Sequence, residues 1–399
     1  MQPTSSQLHK ILVIGGGFGG IRTALDLARQ SHLSVTLVSN NKFFEYYPGL
    51  HKIVGVSDHV TVQVPLETIF KGTSVKLVID EVIEVSAHEK TVVTKNHGTL
   101  ATDALVLAVG SQTEFFGIEG LSEMAFGFKS VEEARRLRTH IETIFKNYQK
   151  ADKAETVVGL HMVIVGAGPN GVDLAGELAS LEKSLAKKYG IVESLVTIDL
   201  IEGASRVLPM MPESVSHKVE ARLRKLGVNI LCNRDLRKQE AWTVTLADMT
   251  MGARTLIWTA GISTNELVKK IDGAQLGKKN RVAVDEFLQI KGFQNVFMVG
   301  DAADTQYAGL AQTALYDGAY VANVITQKSR GEIFHAYTPK SVAYNIGVGP
   351  RWSVLMVGNF IAYGIFAYIT RTLIDVKFFL TILPIREVWC LYFGKNKCI

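Results

Sequence analysis

Glycine spacing is the first feature of this chain that has chemical meaning. The pattern Gly-x-Gly-x-x-Gly occurs twice, each time directly after an apolar run, at Gly15, Gly17 and Gly20 and again at Gly166, Gly168 and Gly171. The first glycine permits a tight turn, the second lets the backbone approach a pyrophosphate, and the third lets a helix pack closely on its strand. The N-terminus of that helix adds unpaired N–H groups and the positive end of its dipole. Two such turns predict two dinucleotide-binding units.

A second repeat supports the same prediction. Each unit closes with an apolar strand that ends in glycine, LVLAVG at Gly110 and LIWTAG at Gly261. Each closing glycine stands 95 residues after the first glycine of its own unit. Equal spacing indicates two copies of one α/β architecture, the Rossmann-like fold.

The end of the next strand in each unit bears on which nucleotide binds. VTIDLIE ends at Glu202, whose carboxylate would accept hydrogen bonds from both ribose hydroxyls and repel a 2′-phosphate. This predicts NADH rather than NADPH in the second unit, although a guanidinium such as that of Arg206 is able to hold a phosphate. The first unit has Ser39 and Asn40 here, a hydroxyl and an amide that bond a ribose less strongly than a carboxylate does.

Composition indicates a folded protein of two or three domains, because the chain has 399 residues, 47% of them apolar and 20% charged. Its cysteines, Cys232, Cys390 and Cys398, lie far apart in no pairing pattern. We therefore expect no disulfide scaffold, no metal site and no dithiol redox centre, and a reducing compartment. The first ten residues lack the basic and then apolar layout of a signal peptide.

The last sixty residues differ from the rest of the chain. From Lys340 onward there are seven basic and two acidic residues, so this segment carries the whole net charge of +5, and it holds 11 of the 34 aromatic residues. Such a segment favours an anionic membrane surface over nucleic acid as its partner. An apolar segment that closes a domain is the alternative.

Within this segment, nineteen uncharged residues between Arg351 and Arg371 are long enough to span a membrane. We expect instead a strand or hairpin around Gly358 and a helix from about Ile361. That helix would run through Arg371 and Asp375, charges that oppose a span.

Pro384 should end this helix before a segment in which Arg386, Trp389 and Tyr392 suit a membrane interface. We therefore expect peripheral, monotopic attachment to the cytoplasmic face of the cell membrane.

Together the motifs resemble the two-dinucleotide flavoproteins of the pyridine nucleotide-disulphide oxidoreductase type and, within them, the type II NADH:quinone oxidoreductases. The resemblance covers nearly all of the chain. It rests on GGGFGG at 15–20, FEYYPGLHKIVGV at 44–56, AVGS at 108–111, VGAGPNGVDLAGELA at 165–179, IEGASRVLP at 201–209, WTAG at 258–261, VFMVGDAAD at 296–304, GLAQTALYDGAYVANVI at 309–325 and the apolar tail. It implies FAD in the first unit and NADH in the second.

The resemblance also implies roles for single residues. The implied FAD contacts are Gly15, Gly17, Phe18, Gly19, Gly20, Ser39, Asn40, Lys42, Pro48, Val82, Ala108, Gly110, Gly300, Asp301, Ala311 and Gln312. The implied NADH contacts are Gly166, Gly168, Pro169, Asn170, Gly171, Glu202, Ala260 and Gly261. The implied quinone contacts are Ala311, Gln312 and Tyr316, and the implied catalytic residues are Asp173, Glu177 and Gln312. Ser39 replaces the acid, and Asp173 the glutamate, that the family usually has.

The expected organisation is an FAD domain from residues 1–150 and 275–340, an NADH domain from 155–270 and a membrane-associating region from 341–399. The expected activity is hydride transfer from NADH to FAD and two-electron reduction of a membrane quinone without proton pumping, in a possible homodimer. A reductase of a ferredoxin- or rubredoxin-type carrier and a flavin-bearing redox sensor remain alternatives. A sulfide:quinone oxidoreductase is disfavoured because no cysteine lies where sulfur chemistry beside the flavin would need it.

Overall fold

The computed structural model describes residues 9–55, 62–148 and 158–393, so the predictions that involve Cys398 and the basic residues after position 393 lie outside the described residues. The strands, in chain order, are β1 (His9–Ile14), β2 (Leu33–Ser39), β3 (Phe43–Glu45), β4 (Gln63–Pro65), β5 (Lys76–Ile79), β6 (Val82–Ser86), β7 (Thr91–Thr94), β8 (Gly98–Ala101), β9 (Ala104–Leu107), β10 (Ser111–Thr113), β11 (Phe126–Gly127), β12 (His161–Val165), β13 (Thr197–Glu202), β14 (Val228–Cys232), β15 (Leu236–Glu240), β16 (Thr243–Leu246), β17 (Thr250–Gly252), β18 (Thr255–Trp258), β19 (Ile262–Thr264), β20 (Val296–Met298), β21 (Tyr344–Gly347), β22 (Ser353–Val357) and β23 (Phe360–Gly364). The helices are α1 (Phe18–Leu27), α2 (Leu50–Val54), α3 (Leu66–Phe70), α4 (Leu121–Met124), α5 (Val131–Asn147), α6 (Pro169–Tyr189), α7 (Glu213–Leu226), α8 (Ala311–Ser329), α9 (Ile365–Ile382) and α10 (Ile385–Phe393).

The first unit is built on a parallel sheet of five strands in the order β20-β9-β1-β2-β5. Residues 11–14 of β1 and all of β9 are buried, as expected for apolar strands covered on both faces. Strand β20 follows the second unit in sequence but pairs with β9, with Val296 opposite Leu105. The chain therefore returns to its first unit after it has built the second.

The second unit repeats this arrangement in the strand order β11-β18-β12-β13-β14, again parallel. The equivalence extends to single hydrogen bonds: the Gly15 N–H donates to the Val38 carbonyl, and the Gly166 N–H donates to the Ile201 carbonyl, both at 2.8 Å. The predicted α/β class with two Rossmann-like units is confirmed. The domain boundaries given above stay predictions.

The tail forms an antiparallel sheet, β21-β22-β23, followed by α9 and α10. The structure agrees with the predicted hairpin and with a helix end before Pro384, because α9 ends at Ile382 and α10 begins at Ile385. The predicted helix start at Ile361 is wrong. Residues 360–364 pair with β22 as β23, and Gly364, at φ +80°, turns the chain into a helix that begins at Ile365.

Helix α9 has an unusual distribution of side chains. Its buried stripe contains two charged residues, Arg371 and Asp375, beside Ala367, Phe379 and Ile382. Its exposed side is apolar, with residues such as Phe366, Ile369 and Leu373 between 52% and 61% exposed. In the part of the chain that the structure describes, no helix is long and apolar enough to cross a membrane.

The tail also belongs to the core of the first unit. Phe379, Ile382, Leu383 and Val388 are all at most 5% exposed and pack into the same cluster of buried side chains as β1 and α1. The tail therefore completes the hydrophobic core of the first unit.

Candidate active site

Both glycine loops have the backbone geometry that a pyrophosphate site needs. Gly15 has φ +110° and Gly166 has φ +104°, a region that favours glycine. A Cβ built on Gly20 would overlap the Gly15 carbonyl oxygen, and one built on Gly171 would overlap the Gly166 carbonyl oxygen. These two outer positions in each loop therefore have to be glycine.

The middle glycines, Gly17 and Gly168, differ from the outer ones because nothing lies within 4 Å of a Cβ built on either. They are the N-caps of α1 and α6, and no side chain caps either helix. The first N–H groups of each helix thus lack a side-chain partner. A ligand can approach the backbone at the middle glycine of each loop, next to the positive end of the helix dipole. Both loops fit the phosphate groups of a dinucleotide.

A cavity of about 430 Å³ lies between the two units and the tail. Among the predicted residues, its lining includes Gly15, Gly17, Phe18, Gly19, Ser39, Asn40, Pro48, Ala108, Gly110, Pro169, Asn170, Asp173, Gly300, Asp301, Ala311 and Gln312. The other predicted residues lie outside this lining: Gly20, Lys42, Val82, Gly166, Gly168, Gly171, Glu177, Glu202, Ala260, Gly261 and Tyr316. The cavity therefore brings together most of the implied FAD contacts, the start of the second-unit helix α6 and the tail.

The second unit fixes the orientation of the two side chains that bear on nucleotide choice. Glu202 stands at the end of β13, and its carboxylate accepts hydrogen bonds from the N–H groups of Ala167, at 2.7 Å, and Ala204, at 2.9 Å. These bonds hold the carboxylate against the glycine loop. Arg206, by contrast, donates to the carbonyl groups of Met211 and Pro209, at 2.8 and 2.9 Å. Its guanidinium is committed to the backbone, which favours a ribose with free hydroxyls over a 2′-phosphate.

On the first-unit side of the cavity, Asp301 is held by two donors that the sequence did not point to. The Ser111 hydroxyl donates to Oδ2 of Asp301, and the Lys129 ammonium lies 3.3 Å from the same oxygen. Directly behind, the buried Asp317 accepts the Gly300 N–H at 3.0 Å and the Tyr337 hydroxyl at 2.6 Å. Burial raises the pKa of Asp317 to about 6.

On the tail side of the cavity, Asp173 is largely buried. Arg371 of α9 donates to both of its carboxylate oxygens, at 2.6 and 2.9 Å, and donates to the Pro48 carbonyl at 3.1 Å. Burial raises the pKa of Asp173 while the guanidinium opposes that rise, and burial lowers the pKa of the adjacent His51, which is therefore neutral. Asp173 is therefore a buried ion-pair partner and not a solvated helix carboxylate.

A second tail contact lies one helical turn further on. Asp375 accepts the Tyr46 hydroxyl at 2.6 Å and the Lys52 ammonium at 2.8 Å. Glu177 lies one turn after Asp173 on α6, and burial followed by the negative charge of Asp173 raises its pKa to about 7. Ionisable groups from α2, α6 and α9 thus meet at one end of the cavity.

Ala311, Gln312 and Tyr316 lie on helix α8. This helix begins at Ala311, and its N-terminal residues line the cavity. The Gln312 amide donates to the Ala343 carbonyl and accepts the Ala343 N–H, at 3.2 and 3.1 Å, so it fixes the chain just before β21. The ring of Tyr316 lies 5.1 Å from the ammonium of Lys340. Among the described residues no group of histidine, cysteine, aspartate or glutamate side chains could hold a metal ion.

Two glycine loops stand on repeated α/β units, and the first loop and the start of α6 line one cavity. This arrangement is typical of a flavoprotein oxidoreductase that uses a pyridine nucleotide. The family of pyridine nucleotide-disulphide oxidoreductases matches residues 9–318. Among individual relatives, the type II NADH:quinone oxidoreductase of Staphylococcus haemolyticus (strain JCSC1435) is 30% identical over 344 aligned positions and covers 81% of this chain and 83% of that relative. The enzyme of the same name from Staphylococcus aureus (strain NCTC 8325 / PS 47) is 31% identical over 342 positions, with the same two coverages.

Two solved structures share the fold over nearly the whole chain. A structure of NDH2 from Plasmodium falciparum in complex with NADH has a TM-score of 0.85 at 18% identity, covering 98% of this chain and 99% of that chain. The sulfide:quinone oxidoreductase of Aquifex aeolicus has a TM-score of 0.78 at 19% identity, covering 97% and 96%. This chain therefore belongs to the pyridine nucleotide-disulphide oxidoreductase family and, within it, to the type II NADH:quinone oxidoreductases.

Proposed function

We propose that this chain oxidises NADH and reduces a membrane quinone through bound FAD, without pumping protons. The observation that carries the proposal is the single cavity that the first glycine loop, the start of α6 and the tail helix α9 line together. When bound there, FAD supplies hydride acceptance from NADH and two-electron transfer to the quinone. The residues of this chain bind, orient and enclose the reactants.

The binding roles follow from the two loops. The N–H groups at the starts of α1 and α6 receive the phosphates of FAD and NADH, and Glu202 receives the NADH ribose. The N-terminus of α8, at Ala311 and Gln312, places a positive dipole end at the cavity and favours negative charge on the reduced cofactor. The other implied contacts of FAD, NADH and quinone given above, including Tyr316 for the quinone, are part of this proposal.

The catalytic roles proposed for Asp173, Glu177 and Gln312 differ in kind. Asp173 lines the cavity and is held in one orientation by Arg371. Glu177 lies behind it, outside the lining, and with a pKa raised to about 7 it holds or releases a proton near neutral pH. Gln312 holds Ala343, just before β21, at the edge of the cavity where we place the quinone.

We further propose that the tail attaches the protein to the cytoplasmic face of the membrane as a peripheral, monotopic enzyme. The exposed apolar side of α9 continues into α10, where Ile385 is 77% and Trp389 is 65% exposed. The NDH2 and sulfide:quinone oxidoreductase structures given above cover 98% and 97% of this chain, a share that includes most of the tail. Arg371, Ile374 and Asp375 of α9 line the cavity while the other side of this helix is exposed and apolar, which favours a lipid-soluble quinone over a small carrier protein as the acceptor. A homodimer is also part of the proposal.

Steady-state kinetics of the purified holoprotein test the activity. We expect rapid NADH oxidation with a short-chain quinone, slower oxidation of NADPH, and a flavin absorbance spectrum. Turnover with a ferredoxin- or rubredoxin-type protein but not with quinones would overturn the quinone assignment. A flavin-bearing protein that turns over with neither acceptor would point to a redox sensor instead.

A further inference from the structure

We propose that Lys129 is a positioning residue of the FAD site that acts by holding the Asp301 carboxylate. The inference rests on the proposed function, since it takes FAD as the ligand of the cavity, and it adds a residue that the motif resemblance does not name. Its basis is the placement of one lysine at the junction of the two units.

The first observation is where the ammonium lies. The side chain of Lys129 lines the cavity and is only 20% exposed, and its Nζ lies 3.3 Å from Oδ2 of Asp301 and 5.1 Å from the centre of the Tyr47 ring. Asp301 and Tyr47 belong to the first unit, whereas Lys129 is the second residue after β11 of the second-unit sheet. The lysine therefore makes its contacts across the junction of the units.

The second observation is that the backbone of Lys129 is fixed. Its N–H donates to Oε2 of Glu133 at 2.7 Å, and the Ser130 N–H donates to the same oxygen at 2.8 Å. Ser130 and Glu133 form the capping box of α5, and the next N–H, that of Val131, donates to Glu45 of the first unit at 3.2 Å. The backbone that carries the Lys129 side chain is thus fixed by the hydrogen bonds at the start of α5.

The third observation is the charge of the cavity. Its ionisable lining, apart from tyrosines, consists of four acids and two bases: Glu45, Asp173, Asp301, Asp375, Lys129 and Arg371. Arg371 is committed to Asp173 through both carboxylate oxygens. Of these two bases, Lys129 is thus the one that contacts the Asp301 carboxylate. The lining has a formal charge of −2, although the proposed ligand is an anionic pyrophosphate.

Together these observations explain how Lys129 would orient the Asp301 carboxylate. Both Ser111 and Lys129 contact Oδ2 of Asp301, so they fix the carboxylate through one oxygen and leave Oδ1 for a hydroxyl of the cofactor. Without the ammonium, the carboxylate would lose a charge-assisted contact and would be repelled by the other acids of the lining. A charge-assisted contact of this kind corresponds to about 10- to 100-fold in affinity.

The test measures FAD affinity directly. Apoprotein of the wild type and of Lys129→Met, Lys129→Arg and Lys95→Met is titrated with FAD, with flavin fluorescence as the readout. Lys95 is the matched control, because it also contacts a carboxylate, that of Glu81 at 3.6 Å, but is 64% exposed. We expect Lys129→Met to weaken FAD binding about 10- to 100-fold, Lys129→Arg to restore most of the loss, and Lys95→Met to bind as the wild type does.

A double-mutant cycle with Asp301→Asn separates action through Asp301 from other causes. If the role is correct, Lys129→Met has little further effect once Asp301 is neutral. Wild-type affinity in Lys129→Met, or an undiminished loss in the Asp301→Asn background, would overturn the inference. Failure of the wild-type apoprotein to bind FAD would instead overturn the proposed function together with it, and unaltered urea unfolding of the Lys129→Met apoprotein distinguishes lost positioning from lost folding.

Discussion

The buried ion pair between Arg371 and Asp173 yields the most demanding prediction. The side chains are 10% and 12% exposed, and two hydrogen bonds of 2.6 and 2.9 Å join them. Replacing Arg371 by methionine leaves a buried carboxylate without its cation, and breaking a buried pair in this way costs about 3–5 kcal/mol. It also removes the donor to the Pro48 carbonyl. We therefore expect Arg371→Met to lower the free energy of unfolding by about 3–5 kcal/mol.

The double variant Arg371→Met/Asp173→Asn should recover much of this loss, because a neutral pair removes the uncompensated charge. The assay is urea unfolding of the four proteins of the cycle in the same buffer at pH 7. The matched control is Arg234→Met, whose pair with Asp248 is 30% and 52% exposed and is worth about 0–1 kcal/mol. Strictly additive effects in the cycle, or a loss in Arg371→Met no larger than that of Arg234→Met, would refute the reasoning.

Three further predictions concern other parts of the molecule. Glu202→Gln should lower kcat/KM for NADH about tenfold and bring it closer to kcat/KM for NADPH, because one charge-assisted contact to the ribose is lost. An unchanged ratio of these two kcat/KM values would contradict the proposed ribose site. Glu182 is 8% exposed, and burial raises its pKa from 4.5 to about 7. The free energy of unfolding therefore falls as the pH rises from 4.5 to about 7, because the unfolded chain loses this proton first. Glu182→Gln should therefore raise the free energy of unfolding by up to about 3 kcal/mol at pH 8 and change little at pH 4.5, and equal effects at both pH values would count against this reasoning. Phe366→Gln/Leu373→Gln should weaken sedimentation with anionic phospholipid vesicles about tenfold or more, while Ile333→Gln, at a site 82% exposed outside the tail, should not.

The parts of the site that could be predicted from sequence are those fixed by local backbone requirements. Gly15 has to adopt φ +110°, and Gly20 has to leave room for the Gly15 carbonyl oxygen, so residue type and spacing alone reveal the loop. The same requirements recur at Gly166 and Gly171, and the equal spacing of the closing glycines follows from the repeated sheet.

The parts that could not be predicted depend on partners distant in sequence. Lys129 meets Asp301 across 172 residues, and Arg371 meets Asp173 across 198. The only local signal for Lys129 is the Ser-x-x-Glu capping box that follows it, which predicts a helix start and no ligand. The helix start at Ile361 was wrong for a related reason, because pairing of β23 with β22 outweighs the helical pattern of the apolar residues.

The charged stripe of α9 changes how the tail should be tested. The simplest test of membrane attachment is to delete everything after about residue 340. Such a truncation would also remove Arg371 from Asp173, Asp375 from Tyr46 and Lys52, and the buried Phe379 from the first-unit core. Loss of activity or of membrane binding in that variant would therefore not identify the tail as an anchor. Because the inner stripe of α9 builds the cavity and its outer side is exposed and apolar, only substitutions confined to the outer side separate attachment from catalysis.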